Sequence, residues 1–144
     1  MFSKSCEYGI RASIYVAKQS LQDRKVSQTE IAKSIDSPVA FTAKILQKLT
    51  KRNVLRSTKG PNGGFFLDPK DLDDVKLWNV ILAIDGDGLL EDCSLGLRKC
   101  NAFKPCPLHH SFVKIRAEIR ETLEGTSLRF LAEEVSDGIS FLKR

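Results

Sequence analysis

Three cysteines lie close together in the second half of the chain, at Cys93, Cys100 and Cys106, with the spacing C-x6-C-x5-C. Thiolates bind soft metal ions and iron–sulfur clusters, and they are also oxidised reversibly. In a reducing compartment, clustered thiols bind metal or act as a redox switch more often than they form structural disulfides. Basic residues stand beside these cysteines, and positive charge favours the thiolate, the form that binds metal. The pattern predicts a metal-binding or redox-active loop.

Three thiolates leave one position of a four-ligand metal site open. His109 follows Cys106 by three residues, so both side chains can share one face at the start of a helix. Three cysteines and a histidine also suit tetrahedral zinc, although small zinc sites mostly use a shorter C-x2-C spacing. An iron–sulfur cluster, a metal-free thiol switch and a zinc site therefore stay as alternatives. Cys6 lies among apolar residues and is predicted to be a buried, inert thiol.

A long amphipathic helix is predicted after the cysteines, from about Pro107 to Glu124. Gly125 ends it, and charged residues occupy most of its surface. Too little chain surrounds its apolar stripe to bury it, so we expect the helix to pack against a second copy as a homodimer. The stripe recurs in steps of three and four and consists of Leu108, Phe112, Ile115, Ile119 and Leu123.

Charge is distributed unevenly along the chain. Residues 1–60 contain 12 Lys and Arg against 4 Asp and Glu, whereas residues 61–144 contain 11 against 14. No acidic residue occurs between Ser37 and Leu67. A basic first half joined to a slightly acidic second half indicates a module that binds a polyanion, linked to a part with another role.

The first half shows the pattern of a helix-turn-helix. A first helix is predicted over residues 5–21, and a capping box of Ser27 and Glu30 begins a second helix over 28–35. A third helix runs from Pro38 to about Arg52, with an apolar inner stripe and a basic outer face. Two short helices joined by a tight turn, the second of them basic outside, are typical of DNA-binding proteins.

A β-hairpin is predicted directly after the third helix. Residues 54–59 form one strand, the glycine-rich stretch 60–64 forms the turn, and residues 65–67 return. This order predicts a mainly α fold with a small β-hairpin (α+β), namely a winged helix-turn-helix followed by a long dimerisation helix. We divide the chain into a DNA-binding domain over 1–75 and a cysteine-loop and dimerisation region over 76–144. An acidic connector over 68–75, a helix over 77–84 and a last short helix over 127–134 complete the prediction.

Several segments together resemble the IscR/NsrR-type (Rrf-type) bacterial transcription regulators. They are KSCEYGIRA at the start of the first helix, EIA in the second helix, KGPNGGF in the wing, and the cysteine triplet. The resemblance covers nearly the whole chain. It implies a homodimer that binds double-stranded DNA and, in many members, carries an iron–sulfur cluster that tunes affinity for the operator. Two recognition helices related by a dimer axis fit a palindromic operator.

The predicted DNA-contacting residues fall into three groups. The outer face of the third helix presents candidates for base edges, and its end presents basic residues for phosphates. Lys59 stands where the family usually has an arginine that reaches the minor groove at the wing tip. The candidates for base edges are Thr42, Ala43, Lys44 and Gln47, those for phosphates are Lys48, Lys51 and Arg52, and those in the wing are Lys59, Asn62 and Gly63.

The resemblance also implies the ligands of a [2Fe–2S] or [4Fe–4S] cluster, the three cysteines of the loop. His109 matches the spacing of the IscR-like pattern as the fourth ligand. Glu7 is its rival, since it resembles the N-terminal carboxylate that some NsrR-like members supply across the dimer. We favour His109, because imidazole is the softer donor and lies close to the cysteines in sequence.

No apolar run is long enough to span a bilayer, and no signal-peptide core is recognisable, so we expect a cytoplasmic protein. A thiol oxidoreductase is the competing enzyme class, but the chain has no C-x-x-C motif and no nucleotide-binding glycine loop. A winged helix used only for protein contacts is a third class. Neither explains the basic helix, the wing and the dimerisation helix together.

Overall fold

The computed structural model describes all 144 residues as eight helices and one two-stranded antiparallel hairpin, so the predicted mainly α fold with a small β-hairpin is confirmed. In chain order the elements are α1 (Lys4–Ser20), α2 (Gln28–Ser34), α3 (Val39–Lys51), β1 (Arg56–Thr58), β2 (Gly64–Phe66), α4 (Pro69–Asp74), α5 (Leu77–Asp85), α6 (Gly88–Glu91), α7 (His109–Gly125) and α8 (Leu128–Ser136).

Helix α1 lies at the centre of the fold. The Ser3 hydroxyl accepts a hydrogen bond from the Cys6 amide at 3.0 Å and caps the helix. Helices α2, α3, α5 and α8 pack around α1. In α2, the predicted capping residue Ser27 accepts from the Glu30 amide at 3.2 Å. Asp36 adopts a positive φ of 51° in the turn between α2 and α3, a conformation that Asp tolerates better than most residues.

The wing is shorter than the sequence suggested. Val54 and Leu55 were expected in the first strand, but both are buried in the main core, and β1 begins only at Arg56. In the hairpin, Arg56 pairs with Phe66. Phe65 also bridges to Val26, which ties the wing to the segment before α2. The tight turn requires glycine, because a Cβ atom at Gly63 would lie 2.3 Å from a backbone oxygen.

The acidic connector contains a short helix, α4, that the sequence reading did not identify. Its start carries a recognisable signal, since Pro69 occupies the first turn and the Asp71 carboxylate accepts from the Asp68 amide at 3.0 Å. Two arginines fix the helix in place. Arg56 of β1 contacts Asp71 at 2.6 Å, and Arg129 of α8 contacts Asp73 at 2.7 Å.

The two predicted parts of the chain share one hydrophobic core. Val80 of α5 and Leu128 and Ala132 of α8 are fully buried among side chains of α1, α2 and α3. A smaller cluster joins Ile81 and Leu123 beneath the N-terminus. The division into 1–75 and 76–144 stays a prediction, and it concerns function rather than separately packed cores.

Helix α7 is covered only along one side. Leu123 is buried and Phe112 and Ile119 are half-buried, whereas Val113 and Ile115 are each 46% exposed. The side chains of the predicted stripe are thus partly covered by the chain itself and partly open. None of the helices is both long and apolar enough to cross a membrane.

Candidate nucleic-acid interface and cysteine cluster

The outward face of α3 is basic and open. Lys44, Gln47, Lys48 and Lys51 are exposed, and Arg52 follows directly at the end of the helix. No ion pair within the chain neutralises the three lysines or the arginine. The opposite face holds the helix in the core through Ile45, Leu46 and Leu49. Helix α3 therefore presents a row of uncompensated positive charges to solvent, the arrangement that binds phosphates.

Thr42 does not belong to this outward face. Its side chain is fully buried, and its hydroxyl donates a hydrogen bond to the carbonyl oxygen of Pro38 at 3.0 Å. A buried, satisfied hydroxyl cannot reach a base edge, so we correct this part of the predicted set. Ala43 beside it is half-buried.

The tip of the wing, which follows α3 in the chain, is exposed. Lys59 and Asn62 are exposed and Gly63 is half-buried. The neighbouring Lys25 supports the hairpin, because its ammonium lies 3.4 Å from the Thr58 hydroxyl and 4.5 Å from the centre of the Phe66 ring. The exposed α3 residues and the wing tip together form what we call the basic surface: Ala43, Lys44, Gln47, Lys48, Lys51, Arg52, Lys59, Asn62 and Gly63.

The loop that carries Cys93, Cys100 and Cys106 contacts the first turn of α7 through His109. The Cys100 sulfur lies 3.1 Å from Nδ1 of His109. The side chain of Cys106 lies near enough to Cys93 to help lower the pKa of the Cys93 thiol. Cys93 and His109 are both buried, and Cys100 and Cys106 are half-buried. We call these four residues the cysteine cluster.

Backbone pairing brings the cysteines together. Asp92 and Lys99 form an isolated antiparallel bridge, and the Cys100 amide donates to the Glu91 carbonyl at 3.1 Å. The His109 amide donates to the carbonyl of Cys106 at 3.0 Å, so the last cysteine leads directly into α7. The loop thus folds back on itself and places residues far apart in sequence at one end of α7.

Side chains of α7 also hold the loop. Arg116 donates to the carbonyl of Asp92 and, at 3.0 Å, to the hydroxyl of Ser94. Arg120 contacts Glu91 at 2.9 Å. A rearrangement of the cysteines would therefore act directly on α7, which carries the open apolar side chains.

The pKa of the Cys93 thiol is lowered, mainly by a hydrogen bond from the backbone of Leu95, and further by the side chain of Cys106, the backbone of Leu97 and the charge of Arg116. Cys6 behaves in the opposite way. Burial and, next, the charge of Asp85 raise its pKa to about 12, in line with the inert thiol expected.

The donor types of the cysteine cluster fit an iron–sulfur cluster, since three thiols and an imidazole are soft ligands. Of the four donors, Cys100 and His109 are in direct contact, and no three His, Cys, Asp or Glu side chains are arranged to hold a metal ion. Glu7, the rival ligand, is exposed on the first turn of α1 and pairs with Lys4 at 3.1 Å. Within a single copy of the chain, His109 contacts a loop cysteine and Glu7 does not.

The sequence profile of the Rrf2 family, described as iron-dependent transcriptional regulators, matches residues 2–134 of the chain. The chain belongs to the Rrf2 family. It is therefore a transcriptional regulator rather than a thiol oxidoreductase, as the resemblance of its sequence motifs implied.

Relatives of known sequence agree with this assignment. An HTH-type transcriptional regulator of Aquifex aeolicus, itself assigned by prediction, is 35% identical over 133 residues, covering 91% of this chain and 90% of that protein. The transcriptional regulator IscR of Aliivibrio salmonicida is 27% identical over 135 residues, covering 90% and 79%.

Solved structures share the fold of this Rrf2 protein. CymR (YrzC), the global cysteine regulator of B. subtilis, superposes with a TM-score of 0.76 at 20% identity, covering 92% of this chain and 96% of that one. The IscR of T. potens gives a TM-score of 0.73 at 19% identity, covering 98% and 92%.

The sequence contains a signal for the inward position of Thr42 in α3. Thr42 stands three, four and seven residues before Ile45, Leu46 and Leu49, which is the spacing of a single buried face. Its methyl group suits that face, and its hydroxyl is satisfied by the backbone of the preceding turn. Threonine is classed as a polar residue, which favours an exposed position, but the side chain of Thr42 points into the core.

Proposed function

We propose that this Rrf2 protein is a homodimeric regulator that binds double-stranded DNA in a sequence-specific manner, with an operator affinity that depends on the state of its cysteine cluster. The observation that carries the DNA-binding part is the row of unpaired Lys and Arg side chains on α3, beside an exposed wing. Phosphate contacts by such residues supply affinity, and side chains earlier on the helix read base edges.

Within the basic surface we assign two roles. Lys48, Lys51 and Arg52 contact phosphates, because they lie towards the end of α3 or follow it. Lys44 and Gln47 are exposed on the same face and precede these three residues in the helix, and earlier side chains of a recognition helix are the ones that meet base edges. The wing residues contact the neighbouring backbone or minor groove.

The dimer is proposed from the open side of α7. A groove of about 460 Å³ runs along it, lined mostly by apolar side chains that include Phe2, Leu77, Ile115 and Ile119. A second copy of the same helix would cover these side chains. Two basic surfaces would then face successive major grooves of a palindrome.

The signal-dependent part is proposed from the contacts of the cysteine cluster with α7. Cys93, Cys100, Cys106 and His109 would hold an iron–sulfur cluster, which when bound supplies redox chemistry and sensitivity to oxidants. Loop and helix are linked by Arg116 and Arg120. Ordering or releasing the loop would change the position of α7, and the spacing of the two basic surfaces in the dimer would change with it. Such a transition between an ordered and a disordered loop is a known kind of conformational switch. A metal-free thiol switch on the same residues is the alternative.

The DNA-binding proposal is tested with DNA that the protein itself selects from a random-sequence pool. Affinity for the selected site and for a scrambled duplex is measured by fluorescence anisotropy at several salt concentrations. Replacing Lys48 and Lys51 together by Ala should weaken binding to both duplexes. It should also reduce the salt slope, the steepness with which the logarithm of the binding constant falls with the logarithm of the salt concentration, by about 1.8, or about 0.9 for each lost phosphate contact. Gln47→Ala should instead reduce discrimination between bases, by about 1–3 kcal/mol. Binding that does not weaken with salt would contradict the proposal.

The sensing proposal is tested by comparing operator affinity without oxygen and after oxidation. Wild type should change its affinity between the two conditions, and Cys100→Ala should show one constant affinity. Cys6→Ala is the matched control, because Cys6 is buried away from the cysteine cluster, and it should still respond. A Cys100→Ala protein that responds like wild type would refute the sensing role.

A further inference from the structure

The last eight residues of the chain, 137–144, form a tail that crosses the first half of the protein. The tail begins at the end of α8, where the amides of Ile139 and Ser140 both donate to the carbonyl of Glu134 at 3.0 and 3.2 Å. Gly138, with φ of 72°, turns the chain there. These residues lie beyond position 134, where the match to the Rrf2 family profile ends.

The tail lies against α1 and α2. It forms one wall of a cavity of about 390 Å³, whose other walls come from side chains of these two helices and from the end of α8. Ser140 and Leu142 are half-buried there, so the tail has a defined course. The helix side chains that line the cavity are Tyr15 and Lys18 of α1 and Ser34 of α2, together with Ile35 after it.

The tail ends at the turn of the helix-turn-helix. The Lys143 ammonium lies 3.1 Å from the Asp36 carboxylate. Asp36 stands in the turn between α2 and α3, two residues before the N-cap Pro38 of α3. Because the N-terminal end of a recognition helix enters the major groove, the turn ahead of it lies beside the DNA backbone. Lys143 therefore lies beside the turn that precedes α3, and Arg144 follows it in the chain.

The charge of Lys143 stays available at this position. Its side chain is 59% exposed and that of Asp36 is 66% exposed. An ion pair so open to water contributes little and exchanges readily for another anion. Asp36 is also the last acidic residue before the stretch up to Leu67 that has none, so the tail places Lys143 at the acidic residue that precedes this basic segment.

We propose that Lys143 and Arg144 form an additional phosphate-contacting element beside the turn between α2 and α3. This inference rests on the proposed DNA binding and extends the contact area beyond α3 and the wing. Phosphate contacts carry no base information, so the tail contributes affinity equally for all sequences. The partner is the sugar–phosphate backbone next to the groove that α3 enters.

The test compares Lys143→Ala/Arg144→Ala with wild type in the full chain. Two lost phosphate contacts should reduce the salt slope by about 1.8. Between 50 and 200 mM salt, wild type should then lose about 12-fold more affinity than the double variant, on selected and scrambled DNA alike. Lys143→Ala alone should reduce the slope by about 0.9.

Lys114→Ala is the control, because Lys114 is exposed on α7 and has no ion-pair partner, so the variant removes one charge far from the turn. It should leave the slope unchanged. If the double variant binds with the affinity and slope of wild type, the tail is no DNA contact, although the basic surface still is. If wild type shows no salt-dependent binding, the proposed DNA binding itself fails.

Discussion

The sulfur of Cys100 lies 3.1 Å from Nδ1 of His109, and the two residues are nine positions apart in the chain. The contact joins the middle of the cysteine loop to the first turn of α7. It places an imidazole beside a thiol in the absence of any second copy, whereas Glu7 lies on α1 in an ion pair with Lys4. Local folding therefore favours His109 as the fourth donor.

Replacing His109 by Ala should abolish or halve iron retention after anaerobic reconstitution, because one of four donors is removed. The readouts are iron content and the absorption bands expected between about 320 and 460 nm for thiolate-bound iron–sulfur clusters. His110→Ala is the matched control, since His110 is the exposed neighbour, and it should retain both signals. If Glu7→Gln loses both signals and His109→Ala keeps them, the fourth ligand is the carboxylate of Glu7 and not His109.

A second prediction concerns Thr42, whose buried hydroxyl bonds to Pro38. Thr42→Val keeps the shape of the side chain but removes this hydrogen bond, so the free energy of unfolding should fall by about 1 kcal/mol. Discrimination between selected and mutated DNA should not change. Gln47→Ala should behave in the opposite manner, with nearly unchanged stability and weaker discrimination. Altered base preference in Thr42→Val would place that side chain at the DNA after all.

The sequence was most informative where local signals and periodicity agree. Helix α2 follows from its capping residue Ser27, helices α1 and α3 follow from their apolar spacing, and the wing follows from its glycines. Helix α4 lies in a segment predicted to be a connector, because Pro and acidic residues are common in connectors, although here together they form a helix start. The first strand predicted over 54–59 is too long, because apolar Val54 and Leu55 suit a core as well as a strand.

Contacts between segments far apart in the chain could not be predicted from the sequence, for a physical reason. Periodicity shows that a helix has an apolar face but not which surface covers it, so the return of α8 onto α1 was not foreseen. Likewise, the spacing of the cysteines predicts a metal-binding or redox-active loop, whereas the contact of Cys100 with His109 depends on how the loop folds back.

A third prediction follows from the contact of Arg56 with Asp71. The hydrogen bond from Arg56 lowers the pKa of Asp71, so the ionised carboxylate stabilises the attachment of the wing to α4. This contribution is present above the unfolded pKa of about 3.9 and is lost as the pH falls through the lower folded value. Asp71→Asn should therefore be less stable than wild type at pH 7, and the difference should narrow below about pH 4.

Denaturant unfolding of both proteins between pH 2 and 7 measures this difference. Asp74→Asn serves as the control, because Asp74 is exposed on the same helix and makes no ion pair. Its stability relative to wild type should not depend on pH in the same way. A difference for Asp71→Asn that stays constant with pH would show that the loss does not come from the charged pair.

The last prediction concerns the open side of α7. Ile115 belongs to the predicted apolar stripe and is 46% exposed, while Leu123 of the same stripe is buried within the chain. If a second copy covers Ile115, Ile115→Glu places an unpaired charge in the interface at a cost of about 3 kcal/mol or more. The dimer dissociation constant should rise by about 100-fold or more, and operator affinity should fall with it.

Light scattering over a concentration series measures the dissociation of the dimer, and fluorescence anisotropy measures the operator affinity. Lys114→Glu, at the exposed neighbouring position, should stay dimeric, and a fully dimeric Ile115→Glu would mean that the two copies meet elsewhere.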